Sequence, residues 1–299
     1  MDYKKMFTLL EVPKGYIIKK YKAKDLNVVI PETIDDKPVV AIGDMAFKGK
    51  EIEEVVIPES IIAIGERAFC DCKNLKKVTL NHKVVMERFV FTGCELLADE
   101  KGFVIVGGIL GDYYGNENNV VIPEGVTIVD DSAFSKAKKI LESVVVPASV
   151  EELRCNAFYS CRKLKSVTLN SENIKLEASS FENCDGLVDS NGFIILNDIL
   201  CAYRDENATD VVIPGNVKRI AQGALSTSRG LKSVVISDGV EKIDAMAFAF
   251  SHFERISIPS SVTLIGEKAF YNGEATITAP KKSYAIEYAK ENGIPFVEE

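Results

Sequence analysis

The sequence predicts a solenoid of the α/β class, rich in strand with short helical or 3-10 turns, and three observations carry that expectation. A phenylalanine returns at Phe47, Phe69, Phe91, Phe134, Phe158, Phe181, Phe248 and Phe270, with Leu225 in the one vacancy, and most gaps are 22 to 24 residues. A β-branched run precedes these positions, as in Val55-Val56-Ile57-Pro58, Val120-Val121-Ile122-Pro123, Val144-Val145-Val146-Pro147 and Val211-Val212-Ile213-Pro214. A longer period lies above the short one, since Pro31, Pro123 and Pro214 are separated by 92 and 91 residues. Repeats of this size bury their apolar side only against their neighbours. A single such turn cannot offset an ordering entropy of about 1–2 kcal/mol per residue, so the rows must fold as one array.

Each row reads as chemistry. Alternation in Val-Thr-Leu (167–169) or Ile-Ser-Ile (256–258) sends the first and third side chains inward and the second outward. Proline cannot donate to a ladder and ends the strand at a fixed place. A second apolar pair follows, such as Val150 with Leu153 or Val262 with Ile265, and leads into an Ala-Phe turn such as Ala68-Phe69 or Ala157-Phe158. These columns are expected to stack into one continuous core with a single aromatic spine.

The long period divides the array into three blocks. The first two are expected to end in matching insertions, near 95–119 and 185–210, whose apolar runs flank Gly107-Gly108 and Asn197-Asp198. Such a pattern predicts two inserted β-hairpins at one edge of the solenoid. Residues 1–27, lysine-rich around Tyr16-Ile17-Ile18, read as an N-terminal cap, and residues 277–299 as a C-terminal cap helix started by Ser283 and stopped by Gly293. The expected organisation is one solenoid domain over 1–299, with about nine repeats in 28–276.

The rows Ile64-Gly65-Glu66-Arg67-Ala68-Phe69-Cys70-Asp71-Cys72-Lys73-Asn74-Leu75 and Asn156-Ala157-Phe158-Tyr159-Ser160-Cys161-Arg162-Lys163-Leu164 resemble the leucine-rich repeat of the BspA type. Departures are Leu225 for phenylalanine, Ser237 for proline and Phe91, one residue early. The resemblance implies a leucine-rich repeat right-handed coil and a bacterial surface or adhesion protein that binds host or neighbouring-cell ligands without catalysis.

Composition narrows the classes. The chain has 299 residues, 46% apolar and 27% charged, with a net charge of -8 and a pI near 5.1. That balance argues against a nucleic-acid surface, which needs clustered cations. No apolar run approaches the roughly 18 residues of a membrane span. Met6-Phe7-Thr8-Leu9-Leu10 is too short for a secretory apolar region. As written from Met1 the chain therefore reads as cytoplasmic, the alternative being a cell-surface or secreted protein whose leader has been removed.

Seven cysteines are an odd number, and Cys72, Cys94, Cys161 and Cys184 fall three residues after a spine phenylalanine, where other rows carry Lys50, Ala137, Ser228, Ser251 and Gly273. A column that mostly accepts small residues predicts free buried thiols. Cys70-Asp71-Cys72 lacks a second pair or histidines at zinc-finger spacing. The two histidines, His82 and His252, replace residues that vary freely among rows, so no general base, metal ligand or cofactor site is nominated. The stretches 112–119 and 204–210 carry oxygen ligands without EF-hand spacing and read as return loops, with Tyr113, Tyr114 and Tyr203 as candidate contact residues.

The outward strand positions are Val56, Thr79, Val121, Val145, Thr168, Val212, Val235 and Ser257, a nearly uncharged stripe and the candidate binding face. Beside it runs a mixed column of Glu54, Lys77, Asn119, Ser143, Ser166, Asp210, Ser233 and Arg255. The favoured function is a non-enzymatic scaffold for a protein partner. A hydrolase built on the loops lacks a nucleophile–base pair, and a carbohydrate-binding module is disfavoured by the absence of tryptophan.

Overall fold

The computed structural model describes residues 2–171, 173–205, 207–226 and 230–299. A typical row is one turn with three sides: a strand of three or four residues, a two-residue strand, lengthened to Lys37–Ile42 in the first row, and the Ala-Phe turn or its variant. Glu54–Ile57 shows the first side, with Val55 and Ile57 buried and Glu54 and Val56 exposed. It pairs in parallel with Lys77–Leu80, Val55 opposite Val78 and Ile57 opposite Leu80. The second apolar pair of each row supplies the second side, where Ala63–Ile64 lies beside Val85–Met86.

The third side has its own ladder, which conventional strands do not describe. Except in the last row of each block, the amide of the spine residue donates to the carbonyl of the alanine, or its stand-in, one row on: Phe47 N to Ala68 O at 2.7 Å, Phe69 N to Val90 O at 3.0 Å, Phe134 N to Ala157 O at 3.1 Å, Phe248 N to Ala269 O at 2.8 Å. To aim alternate amides across the turn, the residue two before the spine position takes positive φ in all nine rows, from Met45 (54°) and Arg67 (54°) to Met246 (56°) and Lys268 (55°). The position two after it does so at Gly49, Asp71, Gly93, Ser160, Asn183, Phe250 and Asn272. Asparagine, aspartate and glycine suit that conformation; methionine and phenylalanine occupy it because the ladder demands it.

The rings stack along the array. Centroids lie 4.8 Å apart for Phe47 and Phe69, 5.2 Å for Phe69 and Phe91, 4.7 Å for Phe134 and Phe158, 5.4 Å for Phe158 and Phe181, and 5.1 Å for Phe248 and Phe270. Leu225 is fully buried in the vacant place. The spine is not single, however. Among the described residues no aromatic pair joins Phe91 to Phe103 or Phe181 to Phe193, and the buried residues form three hydrophobic clusters.

The hairpins explain the breaks, and they open blocks rather than end them. Phe103–Val106 pairs antiparallel with Ile109–Tyr113, and Phe193–Leu196 with Ile199–Tyr203. Their second strands continue in parallel into the two-residue strands of the following rows. The N-terminal cap is the first copy of the same device: Phe7–Val12 pairs with Gly15–Tyr21, placing Phe7 opposite Tyr21 as Phe103 lies opposite Tyr113 and Phe193 opposite Tyr203. Each hairpin tyrosine then starts a spine, its amide bonded to Ala46 O, Ala133 O or Ala224 O. Gly107 and Gly108 both take positive φ, as the two-residue turn requires.

At the far end, Thr276–Ala279 extends the last sheet, and the helix Tyr284–Asn292 buries Ala285, Ile286, Tyr288 and Ala289 over the final turn before Phe296–Glu298 pairs back onto the sheet. Gly293 stops the helix in the left-handed conformation, as expected. Ser283 holds the N-cap position but makes no side-chain cap; its hydroxyl is buried without a partner, and its carbonyl accepts from Ile286.

Where the first and second blocks end, the last two-residue strand has no further strand beside it among the described residues, and arginines satisfy carbonyls of that strand or of the residue flanking it. Arg154 donates to Met86 O (3.2 Å), Glu87 O (3.1 Å) and Asp130 Oδ1 (2.9 Å), while Asp130 Oδ2 accepts from Phe89 N (2.8 Å). Arg88 spans from the first block to Asp131 (2.6 Å) and to both oxygens of Glu177 (3.0 and 2.8 Å), 89 residues away. At the second junction Arg219 donates to Ile174 O (2.7 Å) and to Asp244 (2.8 Å). The last turn of each block thus abuts the short-strand side of the next.

Burial alone pushes the Glu177 carboxyl up, but the Arg88 guanidinium and Lys175 ammonium outweigh it and hold its pKa at about 2 against an ordinary 4.5. For Asp131 burial outweighs Arg88 and the shift is upward. A depressed carboxylate contributes stability that is complete above its unfolded pKa and is lost as pH falls through the folded one. Unfolding free energy, followed by urea titration, is therefore expected to fall more steeply from about pH 4.5 toward about pH 2 in the parent chain than in Glu177→Gln; parallel curves would refute the assignment. Phe158→Ala, which opens the stack on both sides, is expected to cost about 3–5 kcal/mol in the same measurement.

Candidate interaction surface

The outward stripe forms on the longer strands as expected, and the register shows how. Val56 lies beside Thr79; Val121 lies beside Val145, and Val145 beside Thr168; Val212 lies beside Val235, and Val235 beside Ser257. The stripe extends beyond those eight positions. Val29 pairs with Val56 in the first block, and Thr278 and Val297 continue from Ser257 in the third. Val29 stands in Asn27-Val28-Val29-Ile30-Pro31, the same row signature as the others, so the signal was present. The pattern in each block is valine, valine, then a hydroxyl.

Exposure along the stripe is uneven. Val29, Val121 and Val212 are 62%, 65% and 60% exposed, against 36% for Val56 and 40% for Val235. Among the described residues the first strand of each block has one lateral neighbour only, because the longer strands form three separate sheets. The face is thus a set of three short panels, each with an open leading edge. The neighbouring column crosslinks itself: Ser143 donates to Asn119 Oδ1 at 2.6 Å, and Ser233 donates to Asp210. Those hydrogen bonds, first from Ser233 and then from Thr209, hold the Asp210 carboxyl below its ordinary range. Flanking ion pairs such as Lys76–Glu53, Lys165–Glu142 and Lys218–Glu241 are exposed and contribute little to stability.

The loop tyrosines require correction. Tyr113 and Tyr203 end hairpin strands, are buried, and begin the second and third spines, Tyr113 lying 5.3 Å from Phe134. Their place is dictated by the amide that each must send to the next row, which turns the ring inward. Tyr114 is half-buried and donates to Asp112 Oδ2 at 3.1 Å. Asp112 is itself buried and accepts from Gly93 N at 2.8 Å, with burial pushing its carboxyl up. It serves the block junction. Glu206, in the second acidic stretch, and Ser228, in the small-residue column, lie outside the described residues.

All seven cysteines are free thiols. Cys72, Cys94 and Cys184 donate to Phe47 O, Phe69 O and Phe158 O at 3.1, 3.2 and 3.1 Å, which fits a column packed against the preceding turn. Burial pushes Cys161 and Cys184 up to about 12. His82 meets Ile61 O at 2.8 Å through Nε2, and His252 is exposed. Among the described residues no group of three or more His, Cys, Asp and Glu side chains is placed to hold a metal ion. No helix among them is long and apolar enough to cross a membrane.

A solenoid whose rows carry this strand, Ile-Gly and Ala-Phe pattern defines a class of leucine-rich repeat protein. The BspA-type leucine-rich repeat region matches residues 29–99, 113–192 and 200–289 in six copies, and the chain belongs to that family. No curated protein matches it. Among solved structures, a leucine-rich cell surface protein from Faecalibacterium prausnitzii is 22% identical, with 97% of this chain and 96% of that one covered and a TM-score of 0.41. A leucine-rich repeat protein from Bacteroides ovatus is 26% identical, with 92% and 70% covered and a TM-score of 0.42.

Proposed function

We propose that the protein is a non-enzymatic interaction scaffold that presents its strand face to a protein partner. The observation that carries this reading is the nearly uncharged stripe of Val29, Val56, Val121, Val212 and Val235, exposed on a hydrogen-bonded sheet with Val145 half-buried among them, and repeated block by block. Exposed apolar residues aligned on a rigid surface favour contact with another macromolecule. Members of the BspA-type repeat family are typically scaffolds, which supports the same conclusion, and adhesion is its finer form. Where described thiols meet carboxylates, Cys70 at Asp71 and Cys155 at Glu177, burial and then the carboxylate push the thiol up to about 11, which does not favour a loop-borne hydrolase. A carbohydrate ligand remains the competing occupant of the face and is tested in parallel.

The purified chain and a Val145→Asp, Thr168→Asp double variant are to be applied to protein and glycan arrays. Both substitutions point outward from strands whose inward residues are untouched, so folding, checked by circular dichroism, is expected to be retained. Protein targets bound by the parent chain and lost by the variant are the expected outcome. Targets bound equally by both would place the interaction elsewhere, and glycan targets alone would replace the protein partner by a sugar.

A further inference from the structure

Backbone as well as side chains is left open at the leading edge of each panel. In the second block Ile122 N donates to Val145 O, and Asn118 O accepts from Glu142 N and Ser143 N. The even-numbered residues of Asn119–Val121 therefore face the neighbouring strand, and alternation turns the N–H and C=O of Asn119 and Val121 to the empty side. The first block repeats this at Asn27 and Val29, with Ile30 N bonded to Val56 O and Leu26 O to Glu53 N. The third repeats it at Asp210 and Val212. Natural proteins usually blunt such an edge with charge, proline or a cover; here a proline follows each strand, Asp210 charges the third edge, and the edge of Asn119–Val121 presents an uncharged asparagine and an exposed valine.

A void lies against the edge in the second block. A cleft of about 630 Å3 is bounded by Asn119, Val120 and Val121 on one side and by the loop 99–103 on the other. It exists because the hairpin adds two rungs to the short-strand side of the solenoid and none to the longer-strand side. Among the described residues its lining carries Asp99, Glu100 and Glu117 against the one ammonium of Lys101. Paired donors and acceptors on alternate residues recognise one kind of group, the backbone of another extended chain. The acidic rim favours a cationic one.

We propose that the open edge of Asn119–Val121 binds an extended, basic polypeptide segment as an added β-strand. Main-chain hydrogen bonds to Asn119 and Val121 supply the affinity, and Glu100 and Glu117 select positive charge. This inference rests on the scaffold reading and names the mode by which the partner docks. It fails separately from that reading: the strand-face double variant above tests the stripe, whereas the edge is tested through its amides.

The probe is the synthetic peptide Lys-Thr-Val-Thr-Val-Thr-Lys, together with two versions N-methylated on alternate residues in opposite registers. Hydrogen exchange of the full chain with the unmodified peptide is expected to slow at the amides of Asn119 and Val121. One N-methylated version is expected to bind like the parent peptide and the other to lose binding, because alternate amides of an added strand point at the edge. Val121→Pro removes the outward donor and no bond of the existing ladder, and is expected to weaken binding roughly fivefold or more while the chain stays folded. Should that variant fail to fold, the N-methylated pair still decides. Unchanged exchange at both amides, or equal binding of the two N-methylated peptides, would overturn the proposal.

Discussion

Alternate backbone amides on the third side of the coil find carbonyls in the next row, and the rest of the molecule is arranged around that requirement. The Ala-Phe turn has no regular strand to organise it, so its amides alternate only because flanking residues adopt positive φ. That bends the chain sharply and leaves the spine residue facing inward. Ring on ring at about 5 Å then follows from the row spacing. Alanine precedes the spine residue in every row but two, and Val90 and Ser180 take its place in the last rows of the first and second blocks.

Starting and stopping such a ladder is the second problem, and the molecule meets it three times over. A hairpin begins each block with a Phe opposite a Tyr, so the spine starts on a covered aromatic pair instead of a bare ring. Where a block stops, orphan carbonyls of Met86, Glu87 and Ile174 are met by Arg154 and Arg219, whose planar forks reach across the junction and are held by Asp130 and Asp244. The same devices break the longer-strand sheet into panels with open leading edges. Surface and architecture thus share one cause.

The sequence alone established the row, the turn residues, the inserted hairpins, the end caps and the outward stripe, because each is written in local periodicity. An inward Val, an outward Thr and a proline at the strand end are read within one row and need no partner to interpret. Only the tertiary structure decided that the core is three clusters, that residues 7–21 are the first of three equivalent hairpins, and that Tyr113 and Tyr203 are buried spine members. Those outcomes depend on which groups meet across 43 to 89 residues, as Arg88 meets Asp131 and Glu177. A repeat period carries the spacing between neighbouring turns but no information about where a stack must end, since the end is set by hydrogen bonds that the next turn fails to make.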